Sequence, residues 1–260
     1  MIYIYLFLCL FSKLISEDYI EIEKKNVLHK FCSINPELDH FTSNIFLNWK
    51  NKNFEIFDQV KDPTAIAIDL GAWIGTTSIW LSKNFYAVIA VDADKNSLEC
   101  LKKNLCASAC SNVTVCDKPV FSVSKNLIFG PRGAKLNESI SYIKEIQTNK
   151  NDYVIQSITF KELLQNYVFE NENISSKKIG FIKCDIEGGE EYILEDLLDF
   201  VYDNNAKAYI SFHLDWWTMK KIEDFEHLFR CFKTDCPDTD ICQYLKTHPF
   251  ESLLFESSKN

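Results

Sequence analysis

The stretch Ala65-Ile66-Ala67-Ile68-Asp69-Leu70-Gly71-Ala72-Trp73-Ile74-Gly75-Thr76-Thr77-Ser78-Ile79-Trp80-Leu81 decides the fold. It opens with an apolar run that ends in an acid, turns on two glycines, and continues with apolar residues at helical spacing. A continuous apolar run marks a parallel strand buried on both faces. Gly71 and Gly75 permit backbone angles, or close approaches, that a Cβ forbids. Thr76 and Thr77 fall at the start of the helix, where free N–H groups and the positive dipole end can hold a carboxylate. Asp69 ends the strand, and ligands of open α/β sheets gather at the carboxyl ends of strands.

The spacing is Asp-x-Gly-x-x-x-Gly. It is not the Gly-x-Gly-x-x-Gly of dinucleotide sites, and it lacks the Gly-Lys-Ser/Thr of a phosphate loop. Tyr86-Ala87-Val88-Ile89-Ala90-Val91 reads as a second strand, ended by Asp92. That acid lies about twenty residues beyond the glycines, where a carboxylate meets ribose hydroxyls in such folds. A ribosyl cofactor without a pyrophosphate fits this pair of units, which points to S-adenosylmethionine. The competing reading is that Asp69 and Asp92 only cap helices.

Outward from this core, the 260-residue chain suits one α/β domain with additions. A composition of 47% hydrophobic and 25% charged residues is that of a globular protein. The net charge of −9 argues against a nucleic-acid substrate, because phosphate binding needs a basic surface.

Met1 to Phe11 is apolar apart from tyrosine hydroxyls and is too short to span a bilayer as a helix. Its length suits the core of a signal peptide, so residues 1–16 are expected to be a hydrophobic leader. Against this stand the absence of Lys or Arg before the run and the poor cleavage site at Ser12 or Ser16; a buried first helix or strand is the alternative. Ten cysteines fall mostly in two groups, Cys100, Cys106, Cys110 and Cys116, then Cys231, Cys236 and Cys242. Without a Cys-x-x-Cys pair, a zinc ribbon or thioredoxin-like site is excluded in favour of disulfides in a secretory compartment. Sequons at Asn112, Asn137 and Asn173 are compatible with a secreted glycoprotein. The competing readings are that the cysteines are small buried hydrophobes, as expected for Cys184 inside a strand, and that the chain is cytoplasmic.

Residues 17–60 read as a helical cover with a turn near Asn35-Pro36, ahead of the main domain at 61–230. Asn96 to Leu105 has helical spacing, and Val113-Thr114-Val115-Cys116 is a third strand followed by Asp117, either an adenine contact or a solvated turn acid. Phe121 to Tyr142 reads as short strands with a turn at Gly130-Pro131-Arg132-Gly133. Val154 to Thr159 is a further strand, after which Thr159 and Glu162 have the spacing of a capping box. Residues 231–260 form a cysteine-containing extension.

A second stretch repeats the logic of the first: Ile179-Gly180-Phe181-Ile182-Lys183-Cys184-Asp185-Ile186-Glu187-Gly188-Gly189-Glu190-Glu191-Tyr192-Ile193-Leu194. Asp185 and Glu187 alternate with Ile186, so both can project to one side. Two such carboxylates are costly unless solvated, paired, or bound to a ligand or metal. Ala208-Tyr209-Ile210-Ser211-Phe212 is the next strand, ending at His213, a candidate general base or a structural histidine. Trp216 and Trp217 either line a substrate pocket or simply pack.

These segments resemble the FkbM-type S-adenosylmethionine-dependent methyltransferases. The matching residues are Ile68-Asp69-Leu70-Gly71-Ala72-Trp73-Ile74-Gly75, Val91-Asp92, Ser157-Ile158-Thr159-Phe160-Lys161-Glu162-Leu163-Leu164 and Ile182-Lys183-Cys184-Asp185-Ile186-Glu187-Gly188-Gly189-Glu190. The likeness covers residues 45 to 215. It implies a Rossmann-like seven-stranded sheet with helices on both faces, and O-methylation of a sugar, glycan or other small hydroxyl compound. On that reading the cofactor site draws on Asp69, Gly71, Ala72, Trp73, Gly75, Thr76, Asp92, Ala93, Asp117 and Asp185. Trp73 stands where the family commonly has Asn, and Asp92-Ala93-Asp94 replaces a frequent Glu-Pro.

Catalysis is expected at Glu187, His213 and Asp185. Asp185 borders the donor methyl, and Glu187 or His213 takes the acceptor proton. The same three residues could instead ligate a divalent cation that acidifies the hydroxyl. Rival readings are an NAD-type oxidoreductase, disfavoured by the glycine spacing, and a non-catalytic binding module on the same fold.

Overall fold

The computed structural model describes residues 19–259 apart from 34–35, 132–140, 145–146 and 148–149. The expected leader at residues 1–16, the Asn137 sequon and part of the expected Gly130 turn lie outside the described residues. Among those described, no helix is long and apolar enough to cross a membrane.

The chain begins with β1 (Tyr19–Lys24) and β2 (Val27–Cys32), an antiparallel hairpin rather than the expected helix. The reason is a period of two: Ile20 and Ile22 alternate with Glu21 and Glu23. Lys25 and Asn26 both take positive φ, the geometry of a two-residue hairpin turn. Helical structure starts only at Pro36 and includes α1 (Asn51–Val60).

Next come β3 (Asp62–Leu70), α2 (Thr76–Asn84), β4 (Phe85–Val91), α3 (Lys95–Ala107) and β5 (Val113–Cys116). A smaller antiparallel sheet is built from β6 (Asn126–Pro131), β7 (Ser141–Lys144) and β8 (Tyr153–Gln156). Gly130 and Pro131 are therefore strand residues, paired with Tyr142 and Ser141. The capping box forms as the spacing predicts, with Thr159 and Glu162 opening α4 (Phe160–Leu164). Then follow β9 (Ile179–Cys184), α5 (Glu190–Asn204), β10 (Lys207–Ser211), β11 (Phe232–Thr234) and β12 (Ser252–Ser257).

The central sheet has seven strands in the order β11-β12-β10-β9-β3-β4-β5, parallel except where β12 runs against both neighbours. Two of the seven come from beyond Cys231, so that segment completes the domain and is not an extension of it. Helices cover both faces, which is why β3 is buried from Ala65 to Leu70 and apolar there apart from Asp69. Ile66, Ile68 and Leu70 enter the core shared with α4 and α5, whereas Ala65 and Ala67 enter the core shared with α1, α2 and α3. The strand order reverses between β3 and β9. Crevices at such switch points, beyond the carboxyl ends of the strands, are where open sheets bind ligands.

Cys100, Cys110, Cys116, Cys184, Cys231, Cys236 and Cys242 are free thiols rather than the expected disulfides, and those of the first cluster have different neighbours. Cys110 meets Ser82, Cys116 lies against Tyr167, and Cys100 faces Cys32 across α3 and β2.

Candidate active site

A cleft of about 1390 Å³ opens at the switch point. Gly71, Trp73, Thr76, Asp92, Ala93, Asp185, Glu187 and His213 all line it. Asp69, Ala72, Gly75 and Asp117 are not part of the lining.

Asp69 is excluded by strand parity. It shares the Ala65 and Ala67 face of β3, so its carboxylate turns under α2 and is fully buried. There it accepts a hydrogen bond from the Ser78 hydroxyl at 2.6 Å and pairs with the Lys183 ammonium at 3.1 Å. Ala72 is buried, with its N–H on the Val91 carbonyl. Gly75 opens α2 at φ +93°, and a Cβ there would meet Leu101 at 3.0 Å, so its smallness serves helix packing. Asp117 is exposed beyond β5.

At Gly71 the constraint is sharper. Its φ is +77°, and a Cβ would lie 1.9 Å from the Asp185 carbonyl oxygen. The close approach seats the turn after β3 against the end of β9, where the Asp185 N–H donates to the Leu70 carbonyl at 3.1 Å. Lys183 ties the two turns together, donating to the Gly71 carbonyl at 2.7 Å. Burial pulls the Lys183 ammonium down, and Asp69 and Asp185 more than offset it, holding its pKa above the ordinary value.

Asp92 leaves the end of β4 and enters the cleft. One carboxylate oxygen accepts the Trp73 N–H at 2.7 Å and the other the Asp94 N–H at 2.9 Å. Each oxygen keeps a further lone pair, enough for a vicinal diol. Burial, with Asp94 adding repulsion, pushes the carboxyl up to about 7 against the pull of these N–H groups. Nearby, the Tyr153 hydroxyl donates to the Ala93 carbonyl at 2.6 Å and fastens the small sheet over this side, where Leu127 and Phe129 supply apolar wall.

Across the cleft, Asp185, Glu187 and His213 converge. Their ligand atoms lie within 4.8 Å of one another, a spacing a divalent cation could bridge. Cations of the chain itself already crowd Asp185: the Lys50 ammonium donates to Oδ2, Lys183 lies at 4.0 Å, and His213 Nε2 is 3.6 Å from Oδ1. Burial raises the Asp185 carboxyl, but these three cations overcome it and hold its pKa far below the carboxylate range. Oδ1 is buried without a hydrogen-bond partner.

Glu187 sits at φ +57°, in the left-handed region that a side chain enters only at a cost. Burial pushes its carboxyl up to about 7, with His213 pulling the other way. His213 Nδ1 meets Glu190 Oε1 at 3.0 Å, and Nε2 faces Glu187 at 3.5 Å. Burial opposes its charge, yet the Glu190 bond and the charges of Glu190, Asp185 and Glu187 raise its pKa above the ordinary value. The ring is thereby biased toward its cationic form.

Several contributors carry no site role in the motif reading. Fully buried Glu190 accepts the Ile186 and Gly188 N–H groups, shaping the loop that presents Glu187. Glu191 accepts from the backbone of Thr218, Met219 and Lys220 and anchors the far wall. Lys50 arrives from the turn before α1, itself gripped by the Lys24 ammonium on the Phe46 and Trp49 carbonyls. A sequence signal exists for Lys183, a charge inside an apolar strand that requires a buried partner. For Lys50 there is none, because its partner is 135 residues away.

No family model matches the chain, and no curated protein matches it. Among solved structures it is similar to an rRNA methylase from Streptococcus thermophilus, at 14% identity, 80% of this chain, 96% of that chain and TM-score 0.46. It is similar to methyltransferase FkbM from Methylobacillus flagellatus KT, at 14% identity, 86% of this chain, 55% of that chain and TM-score 0.44. A third likeness is to a Streptococcus mutans protein in complex with SAH, at 12% identity, 79% of this chain, 96% of that chain and TM-score 0.43. These are likenesses of chain path at low identity, and what the cleft does is decided by its own side chains.

Proposed function

We propose that the chain is an S-adenosylmethionine-dependent O-methyltransferase of the FkbM type, acting on a hydroxyl of a sugar, glycan or other small molecule. The observation that carries this is the pairing, in one cleft, of Asp92, whose oxygens keep acceptor capacity at the end of β4, with Glu187, whose carboxyl is raised to about 7 just beyond β9. Asp92 would hold the ribose hydroxyls, Gly71 and Trp73 the turn beside them, and Asp185 the edge nearest the acceptor. The orphaned Asp185 Oδ1 suits a site completed by a polar ligand. When bound, S-adenosylmethionine supplies a methyl group on a positively charged sulfur.

The chain's own part is to orient and to move one proton. A hydroxyl is a poor nucleophile until a base takes its proton. Glu187 is suited to that task, because a carboxyl near 7 is ionised in a useful fraction yet basic enough to accept. His213 positions Glu187 through its Nε2 and is itself fixed by Glu190 through Nδ1. Lys50 and Lys183 keep Asp185 ionised. Positioning of this kind supplies much of the rate of a displacement.

Calorimetric titration of the purified chain with S-adenosylmethionine and with NAD tests the reading. Saturable binding of the first alone supports it. Binding of NAD alone, or of neither, overturns it.

A further inference from the structure

Two aromatic walls meet at the catalytic carboxylates. On one side Trp216 stacks flat on the His213 ring, with centroids 5.1 Å apart and planes 6° from parallel, and Phe250 abuts Trp216 at 5.3 Å. On the other, Trp49 lies under the Lys50 ammonium that holds Asp185, and it packs on Trp73 at 6.2 Å. One wall is thus tied to Glu187 through His213, the other to Asp185 through Lys50. At the mouth, Met219 and Phe250 are 70% and 54% exposed although both line the cleft.

Two polar residues beside these walls are already engaged. The Thr218 N–H and hydroxyl are on Glu191, and His213 Nδ1 is on Glu190. Three lysines that line the cleft are ion-paired, Lys50 with Asp185, Lys183 with Asp69 and Lys144 with Asp152, while the exposed Lys125 lies over the Phe121 ring. Among the described residues, a phosphate or carboxylate at these walls would face Asp185 and Glu187, and the Lys50 ammonium beside them is already held by Asp185. Between these two walls a polyhydroxylated ring would lay its remaining hydroxyls against aromatic faces, and buried polar groups left unpaired are costly.

We propose that the acceptor is an uncharged aryl hydroxyl, its flat ring held between the Trp216–Phe250 and Trp49–Trp73 walls and its oxygen at Glu187. This rests on the methyltransferase reading and narrows its acceptor. In the reaction the aryl O–H bond breaks and its proton passes to a Glu187 carboxylate oxygen. The oxygen's electron pair forms the new bond to the methyl carbon. The bond from that carbon to the sulfonium sulfur breaks with both electrons kept on sulfur.

The test uses the purified full chain and three compounds: 2-naphthol, its analogue 6-hydroxy-2-naphthoate, and methyl α-glucoside. Calorimetry first measures S-adenosylhomocysteine, then each compound on the protein saturated with it. Transfer of labelled methyl from S-adenosylmethionine is read in parallel. The proposal expects 2-naphthol to bind at least about tenfold more tightly than the other two and to take up label. Trp216→Ala should weaken naphthol binding about tenfold and leave S-adenosylhomocysteine affinity unchanged, and Trp216→Phe should restore most of it. Preferred binding or methylation of the glucoside or the naphthoate overturns the aryl acceptor and leaves the methyltransferase reading standing. Failure of S-adenosylhomocysteine to bind overturns both.

Discussion

The Glu187 carboxylate and the His213 imidazole face each other at 3.5 Å, and burial acts on both by opposing charge. Glu187 yields and moves toward neutrality. His213 does not, because Glu190, Asp185 and Glu187 surround it. The pair therefore holds one cation and one carboxyl free to change its protonation, which is the division of labour that a base and its positioning group require.

Glu187→Gln should separate chemistry from stability. Loss of a positioned base costs about two to four decades in rate. The wild-type carboxyl titrates higher folded, at about 7, than its ordinary 4.5. Its contribution to stability is therefore full below pH 4.5 and is lost as pH rises toward 7. Gln stays neutral and escapes that loss. Denaturant titration should find the variant more stable by about 1–3 kcal/mol at pH 8 and little changed at pH 4.

Turnover should rise with pH through about 7 as Glu187 ionises. His213→Ala removes a cation that favours the ionised form, so that limb should move to higher pH. A limb that stays in place in His213→Ala and vanishes in neither variant would assign the base elsewhere. Rates on an authentic acceptor between pH 5 and 9 decide the matter.

Asp92→Asn should weaken S-adenosylmethionine by about 1.5–3 kcal/mol, the range for charge-assisted hydrogen bonds. In the wild type, affinity should increase from pH 6 to pH 8, because the Asp92 carboxyl titrates at about 7 and its ionised form is the better acceptor. The variant should lose that dependence. Calorimetry at the two pH values reads both effects.

Lys183→Met leaves Asp69 buried without its cation. Breaking a buried pair by removing one partner costs about 3–5 kcal/mol. The double variant Lys183→Met, Asp69→Leu should recover part of that loss in denaturant melts, since the stranded charge is then gone.

The halves of the site differ in how far they could be read from the sequence, and the difference is one of range. Strand, turn and helix from Ala65 to Leu81 are local, and so is the capping box at Thr159 and Glu162. Both form as their spacing dictates. Asp185, Glu187 and His213 share the crevice because strand ends converge at a switch point, which topology makes predictable. Asp69 looked the same as Asp92 at the level of motif. What parts them is the face of the strand, visible in Ala65 and Ala67 but decided by the pairing with Lys183. The hairpin from Tyr19 to Cys32 departs from the expected helix because a segment rich in Glu, Lys and Ile satisfies two periodicities over so few residues. Lys50 and the tail strands β11 and β12 depend on partners distant in the chain, where no local pattern announces them.

The place of β12 also sets the order of events during synthesis. It lies between β10 and β11, so β10 has no neighbour on that side until the segment ending at Ser257 has left the ribosome. At about 5–20 residues per second, the wait lasts seconds. Throughout it, the edge of β10, with Ala208, Tyr209 and Ile210, offers unpaired N–H and C=O groups to any passing strand. A nascent chain halted before β12 would be sticky at that edge, while the finished chain is not, and a chaperone that shields strand edges would raise its yield without changing the folded product.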